Sequence, residues 1–84
     1  GITLDADGFL FVVDNNHHRI VGSDSRGFWC AVGCSKMYGA NPHQMHYPYA
    51  MSFDNEGNIL VADQNNHRIQ KFIRFKNRSG TFQF

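Results

Sequence analysis

With 84 residues, the chain is long enough for one small domain at most. Hydrophobic residues make up 42% of it, which argues against a disordered chain. Eight basic and seven acidic side chains give a formal net charge of +1, so we expect no general attraction to nucleic acid or to an acidic membrane. No apolar run approaches the ~20 residues that a membrane helix requires, and we expect no membrane partner.

Residues 1–32 predict four short strands, because the segment has no sustained helical period. Apolar and β-branched runs alternate with Gly-containing turns, and a polar loop separates the second run from the third. The predicted strands cover residues 2–5, residues 9–13, a stretch that begins at Arg19, and residues 27–32. We interpret residues 1–32 as one structural unit whose start is incomplete.

Residues 33–46 predict a connecting loop, since they are rich in Gly, Asn, His and Tyr. The second unit is expected over residues 47–84, with Pro48 before its first strand. Its strands are predicted over residues 51–54 and 58–62, and a third begins at Arg68. Residues 72–76 only partly mirror the fourth strand of the first unit.

An internal repeat relates the two units. Residues 1–23 and 50–72 align without a gap at a spacing of 49 residues, and eight of 23 positions are identical. The identical pairs are Asp5/Asp54, Gly8/Gly57, Val12/Val61, Asp14/Asp63, Asn16/Asn65, His18/His67, Arg19/Arg68 and Ile20/Ile69. Units of four short strands that repeat every ~40–50 residues are typical of β-propeller blades.

The second copy resembles a known repeat. Residues 61–72 read VADQNNHRIQKF, which is similar to the core of an NHL repeat, and Pro48 resembles the usual opening of that repeat. The first copy departs from the pattern at Val13 and His17, which stand where the second copy has Ala62 and Asn66. The resemblance implies an all-β fold: a partial β-propeller of about two NHL-type blades, each a four-stranded antiparallel sheet.

The resemblance implies several functions, because NHL propellers serve different proteins. We expect a non-catalytic interaction scaffold, not an enzyme and without a cofactor, that binds a protein or a small ligand through its propeller loops. One alternative is the propeller of a tripartite-motif ubiquitin ligase, which recruits a protein or RNA; another is a peptidyl-hydroxyglycine lyase-like enzyme. Neighbouring blades of a larger chain, or self-association, would cover the apolar faces of two blades.

The repeated polar residues suggest carboxylate, imidazole and guanidinium chemistry, but the same set stands at the same place in both copies. Repeated residues usually support the repeat itself, so we interpret them as a structural network in which each Asp accepts hydrogen bonds and each Arg pairs with a carboxylate. The residues of this expected network are Asp14, Asn16, His18, Arg19, Asp63, Asn65, His67 and Arg68.

Cys30 and Cys34 are the only cysteines and can close a small disulfide loop. Two reduced thiols are the alternative for a cytoplasmic protein. Asn77 begins the only N-x-S sequon and is a possible glycosylation site. Together these features favour an extracellular or secreted location, with the cytoplasm as the alternative.

Metal and nucleic-acid sites are less well supported. His43 and His46 have a spacing compatible with two metal ligands, but we expect a solvated loop and no metal site. The segments 5–8 and 54–57 resemble the start of a calcium loop but lack its downstream Glu, so β-turns are expected. Arg68, Arg74, Lys76 and Arg78 share one strand parity, opposite to Lys71, and are a possible basic surface for RNA.

Overall fold

The computed structural model describes residues 1–35 and 37–84. All of its strands pair antiparallel. They are β1 (Ile2–Leu4), β2 (Leu10–Asp14), β3 (Arg19–Asp24), β4 (Gly27–Val32), β5 (Pro48–Phe53), β6 (Ile59–Asp63), β7 (Arg68–Phe72), β8 (Phe75–Lys76) and β9 (Phe82–Gln83). The helices are two single 3-10 turns, Asn15–His17 and Gln64–Asn66. In the described part of the chain, no helix has the length and apolar character needed to cross a membrane.

The two repeat copies form two sheets with the same register. The first sheet has the order β1-β2-β3-β4, and the second has β5-β6-β7. Ile2 pairs with Val12 in the first sheet, and the equivalent Met51 pairs with Val61 in the second. The short β-branched runs and the turns between them produce this architecture. The predicted all-β fold with partial propeller blades is confirmed.

The second copy differs from the first after its third strand. β8 and β9 form a separate hairpin that is not paired with β7. The turn before the fourth strand begins at Asp24 in the first copy, but at Asn77 in the second, four residues beyond the repeat spacing. The extra residues let the chain leave the sheet after Phe72, where the Arg74 amide donates to the Asn58 side chain at 2.8 Å.

The two sheets bury opposite faces. We define the front face by the side chains of Phe11, Val13 and Ile20 and their equivalents Leu60, Ala62 and Ile69, and the back face by the alternate positions. In the first sheet the front face is buried, whereas in the second sheet the back-face residues Ile59 and Val61 are buried. The core therefore lies between the front of one sheet and the back of the next. Its buried members are Phe11, Val13, Ile20, Val32, Met45, Ile59, Val61 and Phe72.

A disulfide joins Cys30, in β4, to Cys34, with 5.7 Å between their Cα atoms. The chain turns between them at Gly33, whose φ is +75°. A side chain at Gly33 would also collide with the backbone of His18 and Arg19. The positive φ and the close approach of this backbone both require glycine here. The disulfide loop is thus packed against the polar loop that follows β2.

Candidate functional site

The strands place two groups of polar residues at opposite ends of the sheets. The loops after β2 and β6 lie at one end, which we call the loop end. The turns between β1 and β2, between β3 and β4, and between β5 and β6 lie at the other end, which we call the turn end.

The loop end of the second sheet is organised by Asp63, which is fully buried. Its Oδ1 accepts the His46 amide at 2.7 Å, and its Oδ2 accepts both the Asn66 side-chain amide and the Arg68 Nε, each at 2.8 Å. The buried charge is therefore paired and hydrogen-bonded, which its burial requires.

Arg68 extends this network into the connecting loop. Its guanidinium donates to the backbone carbonyls of Ala40 at 2.9 Å and Gln44 at 2.9 Å. The Asn66 side chain donates to the Gly39 carbonyl at 2.7 Å. These hydrogen bonds hold the loop before β5 against the loop after β6.

The first copy repeats the inner part of the network. Arg19 Nε donates to Asp14 Oδ2 at 2.8 Å, and His17 Nδ1 lies 3.0 Å from Asp14 Oδ1. The His17 hydrogen bond is the main cause that lowers the pKa of Asp14, and the Arg19 bond acts in the same direction. His17 occupies the position of Asn66, so two different side chains fill the same place beside the carboxylate.

Not every residue of the expected network joins it. Asn16 and Asn65 make no side-chain hydrogen bond within the described residues. His18 and His67 instead end the 3-10 turns in the left-handed conformation, with φ of 54° and 52°. This conformation is unusual for a residue with a side chain, and His is among the residues enriched in it.

His18 differs from its equivalent because it is buried, whereas His67 is exposed. Its Nδ1 accepts the backbone amide of Tyr47 at 3.0 Å, and its ring packs edge-on against Tyr38, His46 and Tyr47. Burial is the main cause that lowers the pKa of His18, and the nearby His46 adds to the effect.

One kind of turn recurs three times in the chain, between β1 and β2 and between β5 and β6 at the turn end, and again between β8 and β9. In the first, Asp5 Oδ1 accepts the amides of Asp7 at 3.0 Å and Phe9 at 2.9 Å. The same bonds recur around Asp54 and around Asn77, and the fourth residue of each turn is a glycine with φ near 80°. The carboxylates at 5 and 54 therefore serve as turn acceptors. At Asp54, the Asn58 side chain also donates to the carboxylate and is the main cause that lowers the pKa to about 2.

A cavity of about 430 Å³ opens at the turn end between the first sheet, β5 and the β8–β9 hairpin; we call it the turn-end cavity. This volume falls within the usual range of small-molecule sites. Aromatic rings line it: Phe11 contacts Trp29, Phe53 and Phe84 edge-on, with ring centroids 4.9–6.2 Å apart. The charged residues that line it are Asp5, Asp7, Asp24, Arg26, Asp54, Glu56 and Arg74.

Comparison with protein families identifies the second copy. Residues 46–72 match the model of the NHL repeat. This segment, about a third of the chain, is similar to an NHL repeat. No curated protein and no solved structure matches the chain. The NHL match covers β5, β6 and β7 and includes Asp63, Asn66 and Arg68.

The basic residues predicted to form one surface, Arg68, Arg74, Lys76 and Arg78, do not lie along one strand. Arg68 is committed to the Asp63 network at the loop end. Arg74 lies over the Phe82 ring, 4.1 Å from its centroid, and Lys76 lies 5.1 Å from the same centroid. Because β7 ends at Phe72, residues 68–78 do not form one strand, and the predicted shared face does not extend across them.

Three other predicted features are placed as follows. His46 stacks between Tyr38 and Tyr47, while His43 is exposed in the connecting loop. Within the described residues, no group of three or more His, Cys, Asp or Glu side chains is arranged to hold a metal ion. Asn77, the sequon residue, lies in the turn of the β8–β9 hairpin.

Sequence reasoning missed the turn-end cavity and the role of position 17 in the loop network. His17 and Asn66 differ between the copies and so fell outside the network expected from identical residues, although both contact the carboxylate. The aromatic lining comes from β2, β4, β5 and the end of the chain, and only the tertiary fold brings them together. The one available signal was the concentration of Asp and Glu in the predicted turns.

Proposed function

We propose that this NHL-repeat chain is a non-catalytic interaction module whose turn-end cavity takes a ligand with a positive charge beside an apolar group. The observation that carries the proposal is the separation of charge around the cavity. Five of the seven acidic residues of the chain line it, although the whole chain has a formal net charge of +1. The other two, Asp14 and Asp63, are paired with arginines at the loop end.

The cavity lining fits such a ligand in two ways. Phe11, Trp29 and Phe53 offer apolar area and aromatic faces, which attract cations as well as apolar groups. Arg26 and Arg74 offset part of the negative charge, but Arg26 pairs with Asp24 and Arg74 lies over Phe82. Asp7 and Glu56 are exposed and face no cationic partner within the described residues.

Trp29 supplies the measurement, because it is the only tryptophan and lines the cavity. We expect 2-phenylethylamine, which is cationic at pH 7, to change Trp29 fluorescence in a saturable way, with at least about tenfold higher affinity than phenylacetate. Equal affinities for the amine and the acid would contradict the proposal.

A pair of matched variants tests the charges. Asp7→Asn with Glu56→Gln removes two negative charges at the cavity, and we expect amine affinity to fall by about threefold to tenfold. Asn16→Lys with Asn65→Lys changes the net charge by the same amount at the loop end, on exposed side chains. An equal loss in both double variants would show a general charge effect and no site.

We also propose an extracellular location, which the Cys30–Cys34 disulfide supports. Thiol alkylation in intact cells before lysis, followed by mass measurement, tests it. The proposal requires both cysteines to escape alkylation, and a chain that carries two alkyl groups would contradict it.

A further inference from the structure

The contact between the two sheets has a direction. The front face of the first sheet packs on the back face of the second, where Met51 and Phe53 pack against the core beside Ile59 and Val61. Thr3, on the front of β1, donates to the Met51 carbonyl at 3.4 Å. One repeat unit therefore recognises the next through two different surfaces, a front and a back.

The back face of the first sheet is open. Ile2, Leu4 and Phe28 lie on it, and 69%, 59% and 69% of their surfaces are exposed. The second sheet shows what this face does when it is covered. The equivalents of Ile2 and Leu4 are Met51 and Phe53, and both pack against the core.

The front face of the second sheet is open as well. Ile69 is 70% exposed, whereas its equivalent Ile20 in the first sheet is fully buried. Leu60 and Ala62 are half-buried, whereas their equivalents Phe11 and Val13 are buried. The chain thus displays one open front face and one open back face. Inside the molecule, a front face and a back face of the same kind pack on each other to form the core.

We propose that a second copy of this chain docks head to tail, with the front of its second sheet on the back of the first sheet of its neighbour. This contact repeats the front-on-back contact between the two sheets inside each molecule. Every chain carries one open surface of each kind, so identical chains supply both partners. It joins two different surfaces and is therefore heterologous, so copies add head to tail into a ring if the rotation closes and into an open series if it does not. Contiguous exposed apolar surface of this kind is expected to be covered.

Sedimentation velocity over a range of concentrations tests the association. We expect the wild-type chain to form species heavier than one chain as concentration rises. Ile69→Arg blocks the front and Leu4→Arg blocks the back, so each variant alone is expected to sediment as a monomer. A 1:1 mixture of the two retains one intact front and one intact back, and we expect it to form a species of two chains and nothing larger.

Matched variants keep the result interpretable. Phe28→Arg blocks the same back face from β4 and must behave as Leu4→Arg does, and each variant must retain the circular dichroism of the wild type. Met37→Arg, at an exposed residue of the connecting loop, must associate as the wild type does. A wild-type monomer at all concentrations, or a monomeric mixture of the two blocked variants, would overturn the proposal. The exposed residues of these two faces do not line the turn-end cavity, so failure of ligand binding there leaves this test unaffected.

Discussion

At the scale of single residues, the two copies of the repeat carry the same side chains in different surroundings. Asp63 is fully buried and accepts three hydrogen bonds, whereas a quarter of the Asp14 side chain is exposed. Burial raises the cost of losing a carboxylate because its donors are left without an acceptor. Equivalent substitutions therefore distinguish a buried network from a solvated one.

We expect Asp63→Ala to lower the free energy of unfolding by about 2 kcal/mol or more, because the Arg68 guanidinium and the His46 amide lose their acceptor. Asp14→Ala is the matched control and should cost less than about 1 kcal/mol, since its pair is partly exposed. Urea denaturation at pH 7 measures both. A larger loss at Asp14 than at Asp63 would contradict the account.

His18 and His67 form a second such pair. Because burial lowers the pKa of His18 below its ordinary value of 6.5, the unfolded chain takes up the proton more readily than the folded one. His18 therefore supports folding fully above pH 6.5, and that contribution is lost as the pH falls below 6.5. Protonation of Nδ1 also removes the acceptor of the Tyr47 amide.

We expect His18→Asn to reduce the loss of melting temperature between pH 7.5 and pH 5, because asparagine tolerates the left-handed conformation but does not titrate. His67→Asn, at the equivalent exposed position, should keep the pH dependence of the wild type. If both variants flatten the pH profile equally, burial of His18 is not the cause.

At the scale of elements, the sequence predicted the strands and turns well, because short β-branched runs and Asp-x-x-Gly turns act locally. The β8–β9 hairpin was not foreseen, since its separation from β7 depends on four extra residues and on the Asn58 side chain that holds Arg74. The turn-end cavity was not foreseen for a similar reason. Its aromatic rings are far apart in the chain and meet only after the sheets pack.

The Cys30–Cys34 disulfide joins β4 to the start of the connecting loop. We expect Cys30→Ser with Cys34→Ser to lower the free energy of unfolding by about 2 kcal/mol, the value for closing a loop this short. For a domain of this size that is a fall in melting temperature of roughly 10 °C.

A reducing agent provides the control for the disulfide. It should lower the melting temperature of the wild type to the value of the double variant and leave the double variant unchanged. A wild-type chain that is insensitive to reduction would show that the disulfide does not stabilise the fold.

At the scale of the whole molecule, the central feature is the directional packing of two like sheets. The repeat in the sequence predicted two similar blades, but it could not say which face of each is covered. Ile20 and Ile69 are identical in the alignment, and only the order of packing makes one a core residue and the other a surface residue. The same asymmetry leaves one front and one back free for a further copy.

The most direct test compares Ile20→Ala with Ile69→Ala in thermal unfolding at low protein concentration, where chains do not associate. The account predicts a loss of about 3 kcal/mol for Ile20→Ala, because Ile20 is fully buried. Ile69→Ala should stay within about 0.5 kcal/mol of the wild type, because most of Ile69 is exposed. Equal losses at the two positions would contradict the packing of front on back.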